Sequence, residues 1–204
     1  KMGVTLDVST SAGKAIFRRL VRQTDILVEN QQVGRMGELG FDYQALSSIN
    51  PGLIMVSITP FGQTGPYAHF KSHYLNTFHA GGEGYLLPGG LGWLLYSDQP
   101  PIKAGGFLGE YDSGVASVVA ALSAYFWRQN GGTGQHIDIS QQEVILNLVR
   151  CEVGRWNTGF IEQRATRLDP IAGLLQCRDG FVGIYPIERH MWDGLMELMG
   201  NPEW

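Results

Sequence analysis

Two hydrophobic periods alternate in the first sixty residues, and that alternation constrains the fold more than any other feature. Short β-rich runs, GVTLDV at 3–8, DILV at 25–28 and LIMVSIT at 53–59, are separated by stretches with helical periodicity. In residues 12–22 the apolar side chains Ala15, Ile16, Leu20 and Val21 share one helical face, with Ser9 or Ser11 as the cap. DILV is apolar after its first residue, as in a strand covered on both faces. Strand, helix, strand, helix, strand specifies βαβ units, and so a parallel α/β sheet with helices on both faces.

Short helices are expected at 34–39 and 43–49, the second stopped by Asn50-Pro51-Gly52. Ligands on such sheets bind beyond the carboxyl ends of the strands. Two of those ends are Glu29-Asn30 and the TPFGQTGPY stretch at 59–67, whose glycines let a ligand approach the backbone. The Gly-rich residues 81–109 suggest an extended loop or small hairpins. Glu110 then opens a helix reaching about Arg128, and QHIDI at 135–139 is a strand that joins the sheet. Ser140 caps a helix over 142–156, and 157–169 is a polar linker. Residues 174–177 and 181–185 pair as a hairpin turning at Asp179-Gly180, and 190–199 form a last helix.

Composition excludes some functions. A net charge of −4 with only 17% charged residues gives no basic face for nucleic acid. The apolar run at 115–127 is too short for a bilayer and is expected to be a buried helix, with Trp156 and Trp192 also in the core. No secretory signal opens the chain, which begins inside an expected strand and is read as a piece of a longer, cytoplasmic protein. Cys151 and Cys177 lack metal-ligand spacing and are expected to be reduced and mostly buried. His69 and His73 stand four apart, a metal spacing on a helix, but no third ligand is evident and Gly, Ser and Pro around them indicate a loop. No metal is expected.

Five stretches carry a resemblance: VTLDV at 4–8, DILVEN at 25–30, INPGLIMVSITPFGQTGPY at 49–67, LGEYDSG at 108–114 and GTGQHIDIS at 132–140. Together, and in this order, they resemble the class III CoA-transferases (the CaiB/BaiF family). That family includes formyl-CoA transferase, carnitine CoA-transferase and α-methylacyl-CoA racemase. CRDGFVGIYP at 177–186 resembles the opening of the family's small domain. The resemblance implies a Rossmann-like large domain over residues 1–160, lacking its N-terminal part, and a linker with the start of a small α+β domain over 161–204. It also implies coenzyme A as a substrate thioester, an acyl-CoA and a small carboxylic acid as partners, and an interlocked homodimer.

The same resemblance implies site residues. Glu110 stands where the family has a nucleophilic aspartate that attacks the thioester, giving a mixed anhydride and then an enzyme–CoA thioester. The bland alternative is a helix-capping acid. Glutamate is longer by about 1.5 Å, and a misplacement of about 1 Å can cost roughly a hundredfold in rate. Asp112, two residues on, should point elsewhere. His73 matches the proton-transferring histidine of the racemase branch, while a hydrogen-bonded or surface histidine is the alternative for it and for His69. Coenzyme contacts are implied at Asn30, Gln31, Lys71 and Gln141, with Lys71 and Asn30 lining the same cleft as Glu110. Gln31 replaces a usual aromatic, and Glu38 a usual arginine, for which nearby Arg35 could compensate.

Three readings follow. The leading one is transfer of coenzyme A from an acyl-CoA to a carboxylic acid through Glu110. A second is acyl-CoA racemisation with His73 and Glu110 as paired acid and base. A third, kept open by Glu110 and Glu38, is a non-catalytic half that binds coenzyme A or supports a partner chain.

Overall fold

The computed structural model describes residues 2–87, 98, 100–150, 153–154 and 173–203. Cys151, Trp156 and the linker expected at 157–169 lie outside the described residues. The chain forms two compact units, Lys1–Glu83 with Lys103–Arg150, and Gly84–Ile102 with Cys151–Trp204.

The first unit is built on a parallel sheet in the order β1-β2-β3, with β1 at Ile26–Glu29, β2 at Ile54–Thr59 and β3 at Gln135–Ser140. Ile26 pairs with Ile54, and Ile54 in turn with Gln135. β2 lies between the other two, and side chains along a strand alternate between faces. On one face Leu53 and Met55 pack with Val21, Phe41 and Leu46. These come from α1 (Ser11–Val21), from α3 (Tyr43–Ile49) and from the residues after α2 (Arg35–Leu39). On the other face Ile54 and Val56 pack with Ala121 and Ala124 of the long helix α6 (Leu108–Gln129). α4 (Tyr74–Ala80) and α5 (Glu83–Leu86) precede that helix, and α7 (Gln141–Leu148) follows β3 directly.

The expected strand at 3–8 does not form. Asp7 folds the chain back instead: its carboxylate accepts hydrogen bonds from the backbone and hydroxyl of Ser9, and its carbonyl accepts from Thr10. These bonds to the charged form hold the Asp7 carboxyl below its ordinary range. The segment pairs with no strand among the described residues, and Val4 is 76% exposed. The cap of α1 is Thr10, which accepts from Gly13 N–H, and not Ser9 or Ser11. Residues 83–86, expected to be loop or hairpin, are helical.

α6 overturns another expectation. Its buried face is made of small residues, Gly109, Ser113, Ser117, Ala121 and Ala124. The two serine hydroxyls donate to the carbonyls four residues earlier, which satisfies them without a partner on the sheet. The large apolar side chains point away: Val115, Val118, Val119, Leu122, Phe126 and Trp127 are exposed, Phe126 to 72%. Small residues face inward because the helix lies close to β2, β3 and α7. At its far end Arg128 donates to the Gly52 carbonyl and pairs with Asp25, at 2.6 Å each. Those partners lie at the amino ends of β2 and β1, so the first turn of α6 sits at the opposite, carboxyl edge of the sheet.

The second unit contains an antiparallel hairpin, β4 (Gly173–Gln176) and β5 (Phe181–Ile184). Cys177 N–H donates to the Gly180 carbonyl and closes the expected Asp179-Gly180 turn. Cys177 itself is exposed, contrary to expectation, because it sits at that turn. The last helix, α8, spans Arg189–Leu198, with Trp192 half-buried. Among the described residues no helix is long and apolar enough to cross a membrane.

Candidate functional site

The residues singled out from sequence fall at the carboxyl edge of the sheet or on connections leaving it. Asn30 and Gln31 directly follow β1, Gln141 directly follows β3, and Lys71 and His73 lie in the connection after β2. Glu110 is the third residue of α6, within its first turn and not its first residue. In that first turn a carboxylate lies in the positive end of the helix dipole. Phe107 precedes the helix and supplies no side-chain cap to that turn.

Close packing fixes where that turn lies. A Cβ on Gly109 would fall 2.7 Å from Ile145 Cδ1, and one on Gly81 only 2.5 Å from Ile145 Cγ2. Position 81 therefore needs glycine, at Gly109 the Ile145 δ-methyl would have to turn aside, and the fully buried Ile145 of α7 brings the end of α4 and the start of α6 together. Gln142 adds backbone contacts, donating from its N–H to the Pro60 carbonyl and from its side chain to the Ala80 carbonyl. Gln141, four residues before Ile145, shares its face of α7.

The other end of α4 reaches the same turn. Tyr74 and Phe107 meet edge to face with ring centroids 5.1 Å apart. His73 immediately precedes Tyr74 and sits at the N-cap of α4, its backbone N–H donating to the Asn76 side chain. Lys71 and His69 are exposed and lie in irregular backbone, so the four-residue histidine spacing has no helix to act on. No group of three metal-ligating side chains occurs among the described residues.

Asn30 is exposed, and the backbone N–H of Gln31 donates to the Glu29 carboxylate. A cavity of about 430 Å³ opens beside them, lined by Gln31, Tyr43, Gln63 and His136 among others. Asn30, Lys71 and Glu110 are not in its lining. Tyr43 stacks on His136, which is 2.9 Å from the buried Ser57 hydroxyl, and burial pushes the Tyr43 phenol up. The charged side chains of the lining are Glu29 and Asp42, with no lysine or arginine. The lining thus offers a diphosphate no side-chain cation. Arg35 is no free substitute for the missing arginine either: it pairs with Glu38 itself at 2.8 Å.

The sequence pattern of CoA-transferase family III matches residues 1–204. The chain belongs to CoA-transferase family III. It is 32% identical over 208 residues to the acetyl-CoA:oxalate CoA-transferase of Acetobacter aceti, matching all of this chain and 52% of that protein. It is also 32% identical over 153 residues to the formyl-CoA:oxalate CoA-transferase of Streptomyces avermitilis, covering 75% of this chain and 36% of that one. Among solved structures it is similar to a CaiB/BaiF family protein from Brucella suis, with 30% identity and a TM-score of 0.76. That match covers 97% of this chain and 52% of the other. The chain thus spans about half the length of these relatives, or less.

Two features of this family member escaped sequence reasoning. Asp112 acts on Glu83: its charge, after burial, is a cause of the raised Glu83 carboxyl. Each of the two carboxyls buries one oxygen that has no partner among the described residues. The second feature is Lys103, whose ammonium lies 4.7 Å from the centre of the Tyr74 ring and donates to the Ala104 and Gly106 carbonyls. Position alone offered one signal, a lysine in a Gly-rich stretch just before the helix that carries Glu110.

Proposed function

We propose that the protein carrying this chain transfers coenzyme A from an acyl-CoA thioester to a carboxylic acid, with Glu110 as nucleophile. The supporting observation is a carboxylate in the uncapped first turn of α6, at the carboxyl edge of a parallel sheet. Family membership supports the reaction class.

The chemistry balances without a further reagent. A Glu110 carboxylate oxygen attacks the thioester carbonyl, and coenzyme A leaves as thiolate, giving a mixed anhydride. The thiolate then attacks the glutamyl carbonyl, releasing the donor as its carboxylate and leaving coenzyme A on Glu110 as a thioester. The acceptor carboxylate repeats the exchange in reverse, ending as acyl-CoA with Glu110 free. The helix's first N–H groups have no intrahelical acceptor, so they are donors for the oxyanion that each attack creates.

In this reading Asn30, Gln31, Lys71 and Gln141 contact coenzyme A, and Lys71 is the cation for its phosphates. Residues 1–160 belong to the large catalytic domain and 161–204 lead into the small one, in a cytoplasmic homodimer. The Tyr74–Phe107 contact favours a second reading, because it brings His73 to the same corner as Glu110. There the two act as acid and base on an acyl-CoA α-carbon.

The test is a transfer assay on the full-length protein. Formyl-CoA and acetyl-CoA serve as donors and oxalate as first acceptor, since the relatives carry those names. Exchange of α-protons with deuterated solvent is followed in parallel. Transfer abolished in Glu110→Gln and preserved in His73→Gln supports the transferase. Proton exchange lost in both variants, without transfer in the parent, replaces it with the racemase.

A further inference from the structure

We infer that Lys103 is a positioning residue for Glu110, a clamp that fixes the loop entering α6. The inference rests on the transferase reading for its kinetic consequence, and on the geometry alone for its structural one. An ammonium has three donors. Two go to the Ala104 and Gly106 carbonyls, while the charge lies over the face of Tyr74. Between those carbonyls stand Gly105 and Gly106, the second with φ of 67°. A glycine pair has the most backbone freedom to lose. Without the ammonium, two converging carbonyl dipoles and this pair would stand one residue before Phe107.

The clamp reaches Glu110 through identified contacts. Tyr74, which carries the ammonium on its face, holds the Phe107 ring by its edge. The Phe107 carbonyl accepts the hydrogen bond of Tyr111 N–H, which closes the first turn of α6 around Glu110. Lys103, Tyr74 and Phe107 thus form one cluster that fixes both the entry of the long helix and the start of α4 beside His73. Two of the three donors of Lys103 go to protein carbonyls and its charge lies over the Tyr74 ring, so the side chain is turned to the loop entering α6. Its effect is on where Glu110 stands. A displacement of about 1 Å is worth roughly a hundredfold in a rate that depends on alignment, so a longer nucleophile leaves more to be fixed by the backbone.

The experiment uses the full-length protein with Lys103→Met, Lys103→Arg and, should the first fail to fold, Tyr74→Leu. One readout is amide hydrogen exchange over 104–111. The other is the rate of acyl or CoA adduct formation on Glu110 from acetyl-CoA, with its dependence on acetyl-CoA concentration. Lys103→Met is expected to raise exchange in this segment about tenfold and to slow adduct formation about ten- to hundredfold. Half-saturation should stay within about threefold, and Lys103→Arg should recover part of the rate. A variant in which substrate affinity falls and the saturated rate does not would assign Lys103 to binding and overturn the inference. So would exchange and rate both at the parent level. Faster exchange in a protein whose parent forms no adduct would uphold the clamp and refute the transferase reading.

Discussion

Tyr74 and Phe107 stand edge to face across the site, 5.1 Å between ring centroids, though 33 positions separate them in the chain. Tyr74 is the first residue of α4 and Phe107 the residue before α6. Their contact joins the two helix starts that carry His73 and Glu110. Ile145 joins the end of α4 to the same turn of α6. Glu110 is therefore held from two sides, by an aromatic contact before it and by a buried aliphatic side chain beside Gly109.

Gly81→Ala tests the second of these supports. The new methyl would meet Ile145 Cγ2 and Cβ at 2.5 and 2.6 Å and the Gln142 carbonyl at 3.2 Å, so neighbours must move. Overpacking of this kind costs about 1–3 kcal/mol. Urea denaturation should show that loss, and the activity of the remaining folded protein should fall with it. A variant of parent stability would mean that α4 and α7 are not packed as described.

Arg128→Met separates stability from activity. Arg128 is largely buried and holds the Gly52 carbonyl and Asp25 at the amino ends of the strands. Its removal leaves that carbonyl without its charged donor, at a cost of about 1–3 kcal/mol. The site lies at the other end of α6, so the turnover of folded enzyme should stay near the parent's. Lost stability with unchanged turnover is the expected pair of results from melting and assay.

The Glu83 carboxyl predicts a pH dependence. Burial first, and the Asp112 charge second, raise its pKa above the ordinary value of 4.5. A group raised in the folded state binds its proton more tightly there than in the unfolded chain. Its contribution to stability is complete below about pH 4.5 and is lost as pH rises through the folded value. Glu83→Gln should flatten that decline and leave the protein more stable than the parent at neutral pH. Asp112→Asn should move the decline to lower pH. Urea melts across a pH series in which Glu83→Gln parallels the parent throughout would refute the coupling.

Much of the fold could be read from period alone. β2 is buried on both faces and strand–helix alternation specified parallel pairing, but β1, expected from DILV to be covered on both faces, lies at the edge of the described sheet with Val28 56% exposed. GVTLDV misled because alternation describes which side chains suit a sheet, not whether a ladder partner is present. Three adjacent residues, Ser9, Thr10 and Ser11, can all cap a helix, and only the bond to Gly13 shows which does. In α6 the inward face consists of glycine, serine and alanine, so reading apolar size as burial inverted the helix. That Glu110 lies near the start of a long helix and His73 outside a helix could also be read from the sequence. Lys103 and the Glu83–Asp112 coupling could not, because they arise from contacts between segments far apart in sequence.

The central claim is that Glu110 attacks the thioester, and peptide mass mapping after incubation with acyl-CoA tests it most directly. The full-length parent should carry an acyl or CoA adduct on the peptide containing Glu110. Glu110→Gln should carry none and lose turnover by several orders of magnitude, because an amide cannot form the anhydride. Its stability should change by about 1 kcal/mol or less, the loss of one carboxylate from a helix's first turn. Glu110→Asp, the residue usual in the family, should keep part of the activity on a backbone arranged for glutamate. A Glu110→Gln protein that transfers coenzyme A at the parent rate, with no adduct at this position in the parent, would contradict the account.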